Sequence, residues 1–91
     1  MQPIDAERLI RDVGRRLAEL RESRGLTQQE LADHLGVSMR YVQAVEAGTQ
    51  NLTLRTLAEY LSVLGAGILA AFEAPRTRAK RRPGRPPRRS V

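Results

Sequence analysis

The sequence predicts an all-α fold: a compact bundle of four to five short helices followed by a basic tail. Three observations point there. Apolar residues between Leu9 and Phe72 recur at helical spacing rather than alternating. Each of the first four apolar runs is opened by Asp, Thr or Ser and closed by Gly, the residues that satisfy free backbone groups at helix starts and ends. From Arg76 onward Pro and Arg dominate, and such a stretch has too little apolar surface to form a core.

The first helix is expected from about Asp5 to Arg24, with Asp5 as its N-cap. Leu9, Val13, Leu17 and Leu20 form its apolar stripe, which Ile10 widens. Gly14 costs a helix about 1 kcal/mol relative to Ala, so a break near it is one expectation. On the outer face, acids and arginines alternate at 7/11, 12/16 and 15/19, with Glu22 near Arg15, as ordinary surface pairs. Gly25 closes the helix. Thr27-Gln28-Gln29-Glu30 is a capping box for a second helix, Gln28 to Leu35, with Leu31, Ala32 and Leu35 inward and His34 solvated. Gly36 ends it. Ser38 caps a third helix through about Glu46, with Val42 and Val45 inward and Gly48 after it. Thr53 caps a fourth, Leu54 to Leu64, with Leu54, Leu57, Ala58 and Leu61 inward. Gly67 to Phe72 suits a short fifth helix, or a short strand pairing across a dimer; Pro75 stops it.

Residues 1–12 are an N-terminal extension continuing the first helix, 13–74 the folded domain, and 75–91 the tail. The net charge of +6 is unevenly placed. Residues 1–75 carry eight Arg against ten acids, a net −2, whereas 76–91 carry seven Arg, Lys80 and no acid, a net +8. Affinity of the domain for a polyanion therefore has to come from local geometry rather than bulk charge. With no Cys and one His, disulfide frameworks and zinc sites built on Cys or paired His are excluded. No apolar run approaches the roughly 20 residues of a membrane helix, and the N-terminal residues lack the pattern of a secretory signal, so a cytoplasmic protein is expected. Paired carboxylates, a nucleophile-and-base set and a phosphate loop are all missing, which speaks against an enzyme.

Residues 27–48 carry the functional signal. Two short helices are joined by a turn of about four residues holding Gly36. Ala32 and Val37 lie where the helices must approach, and Val42 and Val45 dock the second helix on the first. This leaves Met39, Arg40, Gln43 and Ala44 on the outer face, and a helix so presented can enter the major groove of DNA by its N-terminal end. Arg40 has the fork that pairs with a guanine edge, Gln43 suits adenine or a phosphate, and Met39 a thymine methyl.

The series Arg21-x-x-Arg24-Gly25-Leu26-Thr27-Gln28-x-x-Leu31-Ala32, Leu35-Gly36-Val37-Ser38, Val45-Glu46-x-Gly48, Leu57-Ala58 and Leu64-Gly65 resembles the Cro/CI (XRE) family of bacterial and phage regulators. The resemblance covers about Val13 to Phe72. It implies a bundle of four or five helices that binds operator DNA as a two-fold dimer without a cofactor. It also implies that Gln28 bonds a phosphate, that Thr49, Gln50, Asn51 and Thr53 contact the DNA backbone, and that Arg21 and Glu46 form a structural pair tying the first helix to the third. Tyr41 either touches a phosphate or packs beside the motif. The chain has no Lys or Arg between 41 and 54, where many members carry one. A dimer surface is expected from Leu64, Ile68, Leu69 and Phe72, helped by Ile4, Leu9 and Ile10.

In the tail, Lys80-Arg81-Arg82-Pro83-Gly84-Arg85-Pro86-Pro87-Arg88-Arg89 resembles an AT-hook. Gly84-Arg85-Pro86 matches its core, with Pro83 in place of the core's first Arg. Lys80, Arg81, Arg82, Gly84, Arg85, Pro86, Arg88 and Arg89 would then lie in an A·T minor groove; the other reading is a solvated tail drawn to phosphates alone. Three further roles stay open at this point: an antitoxin binding a toxin, an adaptor for another protein tethered to DNA by the tail, and a nucleoid-architectural protein.

Overall fold

Asp5 opens α1 (Ala6–Ser23) by accepting the backbone N–H groups of Glu7 and Arg8 at 3.0 and 3.3 Å. The computed structural model describes residues 3–77. The next three helices begin in the same way. Thr27 caps α2 (Gln28–Leu35), and its capping box is complete: Glu30 N–H to Thr27 Oγ1 at 3.0 Å, and Thr27 N–H to Glu30 Oε1 at 2.9 Å. Ser38 caps α3 (Met39–Ala47) and Thr53 caps α4 (Leu54–Leu64). Ile68–Ala71 forms α5, a single helical turn, so the 67–72 segment resolves as helix rather than strand.

The core lies where α1 to α4 meet, with α3 held by α1 and α2, and α4 packed on α1 and α2. Leu17, Leu31, Ala32, Val42, Val45, Leu57, Tyr60, Leu61 and Leu64 fill it, and Val13, Leu20 and Ala71 complete its edges. α3 packs chiefly on α1 and α2, so it is gripped from two sides.

α1 runs unbroken through Gly14, as the single helix from Asp5 to Arg24 anticipates, and the break that its propensity cost allowed does not occur. Gly14 is buried, and a Cβ built on it would overlap the carbonyl oxygen of Val45. The missing side chain lets the α1 and α3 backbones touch, and that contact outweighs the helix-propensity cost. One turn earlier, the Arg11 stem rests on Gly48, where a Cβ would come within 2.7 Å of Arg11 Cγ. Gly48 also takes the left-handed conformation that ends α3, with φ at 79°.

Several packing expectations are corrected. Leu54 is 79% exposed and Ala58 is exposed, because the buried face of α4 is Leu57, Tyr60, Leu61 and Leu64, spaced i, i+3, i+4, i+7. Tyr60, absent from the expected core, is fully buried. Leu64, expected on a dimer surface, is 1% exposed and belongs to the core. Surface pairing on α1 also differs. Arg8 meets Asp12 at 3.8 Å, and Arg16 turns away from Asp12 toward Glu19 at 3.2 Å and Glu73 at 2.6 Å. Arg15 stands 3.7 Å from Glu22, as expected, while its other expected partner, Glu19, pairs with Arg16 instead. Arg16 Nε also donates to the Ala70 carbonyl at 2.8 Å, so this one side chain fastens both α5 and Glu73 to α1, and no spacing rule within one helix would signal that.

Candidate nucleic-acid interface

The turn between α2 and α3 is set by Gly36, whose left-handed backbone (φ 73°) ends α2, and by Val37, whose N–H donates to the Ala32 carbonyl at 3.0 Å. Ser38 Oγ then accepts the N–H of Tyr41 at 3.0 Å and fixes the first turn of α3. Val42 and Val45 are 0% and 1% exposed. The opposite side of α3 is open: Met39 is 39% exposed, Arg40 and Gln43 are exposed, and Ala44 is half-buried. Tyr41 is half-buried and packs against the core cluster, which fits the packing reading of that residue.

Behind α3 lies a charged network. The Arg21 guanidinium grips Glu46 through Nε–Oε2 at 2.7 Å and Nη2–Oε1 at 3.0 Å, and its Nη1 donates to the Leu26 carbonyl at 2.7 Å. Both side chains are buried. The Glu46 bond raises the Arg21 pKa above its ordinary value, outweighing the opposing effect of burial, so the guanidinium stays charged. One arginine thus holds the end of α1, the loop before α2 and the end of α3 in register. Tyr60 sits beside this network with its hydroxyl buried and without a hydrogen-bond partner among the described residues. Burial, then the nearby Glu46 charge, pushes that phenol well above its usual pKa.

Gln28 joins the same network. Its Nε2 donates to Glu46 Oε1 at 3.0 Å, so one amide N–H is held inside the protein, and the side chain is half-buried at the start of α2. Among the loop residues, Thr49 donates its N–H and hydroxyl to the Ala44 carbonyl at 3.0 and 3.2 Å. Thr53 Oγ1 caps α4 and lies 3.0 Å from the Thr56 hydroxyl. Asn51 is exposed; Gln50 is half-buried beside Leu52. The structure thus places Gln28 and Thr49 beside α3, through Glu46 and Ala44, and leaves Met39, Arg40, Gln43, Asn51 and Thr53 exposed. It engages Gln28, Thr49 and Thr53 in internal bonds as well. Lys80, Arg81, Arg82, Gly84, Arg85, Pro86, Arg88 and Arg89 lie outside the described residues.

A short helix locked at a fixed angle on its predecessor, with the outer face of the second left unpacked, defines a helix-turn-helix DNA-binding domain of the Cro/CI type. The chain belongs to the helix-turn-helix family HTH_3 of transcriptional regulators, which matches residues 17–69. It is 42% identical over 53 residues to y4dJ, an uncharacterised HTH-type transcriptional regulator of Sinorhizobium fredii; the match spans 58% of this chain and 69% of that protein. Among solved structures, it is similar to the restriction-modification controller protein C.AhdI from Aeromonas hydrophila, at TM-score 0.71 and 32% identity over 76% of this chain and all of that one. It is also similar to the controller protein C.Esp1396I, crystallised as a tetramer with its natural 35-base-pair operator, at TM-score 0.64 and 25% identity over 70% of this chain and 84% of that one. These relatives place the chain among regulators rather than enzymes. Among the described residues no helix is long and apolar enough to cross a membrane.

Proposed function

We propose that this protein is a sequence-specific transcriptional regulator that binds operator DNA as a homodimer, one α3 per half-site. The observation that carries the reading is the two-sidedness of α3: Val42 and Val45 are sealed in the core while Met39, Arg40 and Gln43 project from a rigid support. Arg40 presents a planar fork suited to guanine, and Gln43 an amide suited to adenine. Gln28 and Thr49 stand beside α3 through their bonds to Glu46 and Ala44; with Asn51 and Thr53 they would contact the DNA backbone, where the α4 N-terminus would add N–H groups favourable to phosphate.

Dimerisation is supported by an apolar surface that one copy leaves open. Ile68, Leu69 and Phe72 on and after α5 are exposed, and Leu9 and Leu54 stand near Phe72 around an apolar hollow of about 200 Å³. A second copy covering this surface would add buried area to a small domain that has little of its own.

The test is selection of bound duplexes from a random pool with the full chain. The reading expects a two-fold repeated half-site with centres about one helical turn apart. Enrichment of A·T-rich duplexes without a repeated half-site would contradict it and point to binding by the tail.

A further inference from the structure

The face that would meet DNA carries little positive charge, since Arg40 is followed by no Lys or Arg until Arg55. α1 supplies charge beside it. Arg8, Arg11 and Arg15, spaced i, i+3, i+7, share a helix face. Together with Asp12, Pro75 and Thr77 they line a notch of about 440 Å³. Asp12 is the one acid in that lining, and it stands by Arg8 in a loose, exposed pair at 3.8 Å. Arg15 is largely buried and pairs with Glu22 at 3.7 Å, its Nε having no hydrogen-bond partner among the described residues, so it backs the face rather than leading it. Arg11 is exposed, has no ion pair among the described residues, and rests its stem on Gly48, next to Thr49, Gln50 and Asn51.

The same notch meets the root of the tail. Glu19 Oε2 accepts the backbone N–H groups of Arg76 and Thr77 at 2.8 and 2.7 Å and the Thr77 hydroxyl at 2.6 Å. This clamp fixes where the chain leaves the domain, just before six Arg and Lys80 in residues 78–91.

We infer that the Arg8–Arg11–Arg15 face of α1 binds backbone phosphate of the same DNA duplex, with Arg11 making the main contact beside the 48–53 loop. The inference rests on the proposed function and extends it to a helix outside the motif. A phosphodiester fits because Arg11 is exposed and has no ion pair among the described residues, and because polyanion binding gains from releasing counterions. The contact reads no base, so its loss weakens all duplexes alike.

The experiment compares the full-length wild type with Arg11→Gln, Arg11→Lys and Arg24→Gln by fluorescence anisotropy over a range of salt, on a selected operator and on a random duplex. Arg24 lies at the other end of α1 and reports the effect of simply removing one charge. Circular dichroism and thermal melting establish that each variant is folded. Arg11→Gln should lower affinity for both duplexes by on the order of tenfold at 0.1 M salt, and reduce the salt slope by about 0.9. Arg11→Lys should retain most of the binding, and Arg24→Gln should be close to wild type. Unchanged affinity and slope in folded Arg11→Gln would overturn the inference, and would be the result if this face bound an acidic protein instead. An equal loss in Arg24→Gln, or a loss confined to the operator, would overturn it too. Absence of duplex binding by the wild type would overturn the proposed function itself; a wild type that binds and an Arg11→Gln that binds equally well would overturn only this extension.

Discussion

Arg21 and Glu46, 25 positions apart, meet in a two-pronged ion pair at 2.7 and 3.0 Å beneath the helix that carries Arg40. The pair is buried, and its geometry is the bidentate one in which arginine and carboxylate match. Removing one partner leaves the other charged and buried. Glu46→Ala should therefore destabilise the fold by about 3 kcal/mol in urea unfolding. The double variant Arg21→Met/Glu46→Leu should recover part of that loss, because apolar groups of similar volume need no charged partner. Since Gln28 donates to the same carboxylate, Glu46→Ala also frees the Gln28 amide.

Gly14→Ala tests the close contact between α1 and α3. An alanine there gains about 1 kcal/mol of helix propensity on an open surface. Here its Cβ would meet the Val45 carbonyl oxygen, a backbone atom fixed inside a helix. A net destabilisation of about 1–3 kcal/mol is expected, read as a lower thermal midpoint.

Tyr60→Phe removes a buried hydroxyl that has no hydrogen-bond partner among the described residues, while keeping the ring that fills the core. The variant should be as stable as the wild type or more stable by about 1 kcal/mol. A clear loss of stability in chemical denaturation would show that the hydroxyl is bonded in solution.

Glu19 makes stability depend on pH. Burial alone would raise its pKa, but the Thr77 hydroxyl, the Thr77 N–H, Arg16 and the Arg76 N–H outweigh it and hold the carboxyl below the usual 4.5. A carboxyl lowered by folding stabilises the fold above its unfolded pKa and loses that contribution as pH falls through the folded value. Between about pH 6 and about pH 3 the wild-type urea midpoint should fall more steeply than that of Glu19→Gln. Parallel curves would mean that the clamp on Arg76 and Thr77 does not form in solution.

Most of the fold is legible in the chain because it depends on local chemistry. Thr27 and Glu30 sit three apart and cap each other; Gly36, Gly48 and Gly65 stand where helices end. The Arg40 face is legible for the same reason, since helical periodicity alone opposes Arg40 and Gln43 to Val42 and Val45, with Met39 at the edge between the two sides. The features that stay hidden depend on partners distant in sequence. Whether Gly14 breaks a helix or admits a neighbour is decided by Val45, and Arg16 leaves its helical neighbour Asp12 for Ala70 and Glu73. Tyr60 escapes a sequence reading of the core because its polar tip masks a ring that packs like any apolar one, and Leu64 does so because an apolar residue at a helix end fits a core or a subunit surface equally well. Gln28 shows the limit within the site: family resemblance implies a phosphate contact, but its amide is also held by Glu46, too distant in sequence for any local pattern to signal.

The central claim is that α3 reads bases through side chains a rigid core pushes outward, and Arg40→Ala tests it most directly. Its affinity and that of the wild type should be measured on the selected operator and on random duplexes at one salt concentration. The account predicts a loss of about 1–3 kcal/mol on the operator, a much smaller loss on random duplexes, and relaxed preference at one position of each half-site. An equal loss on both, or no loss on either, would contradict it.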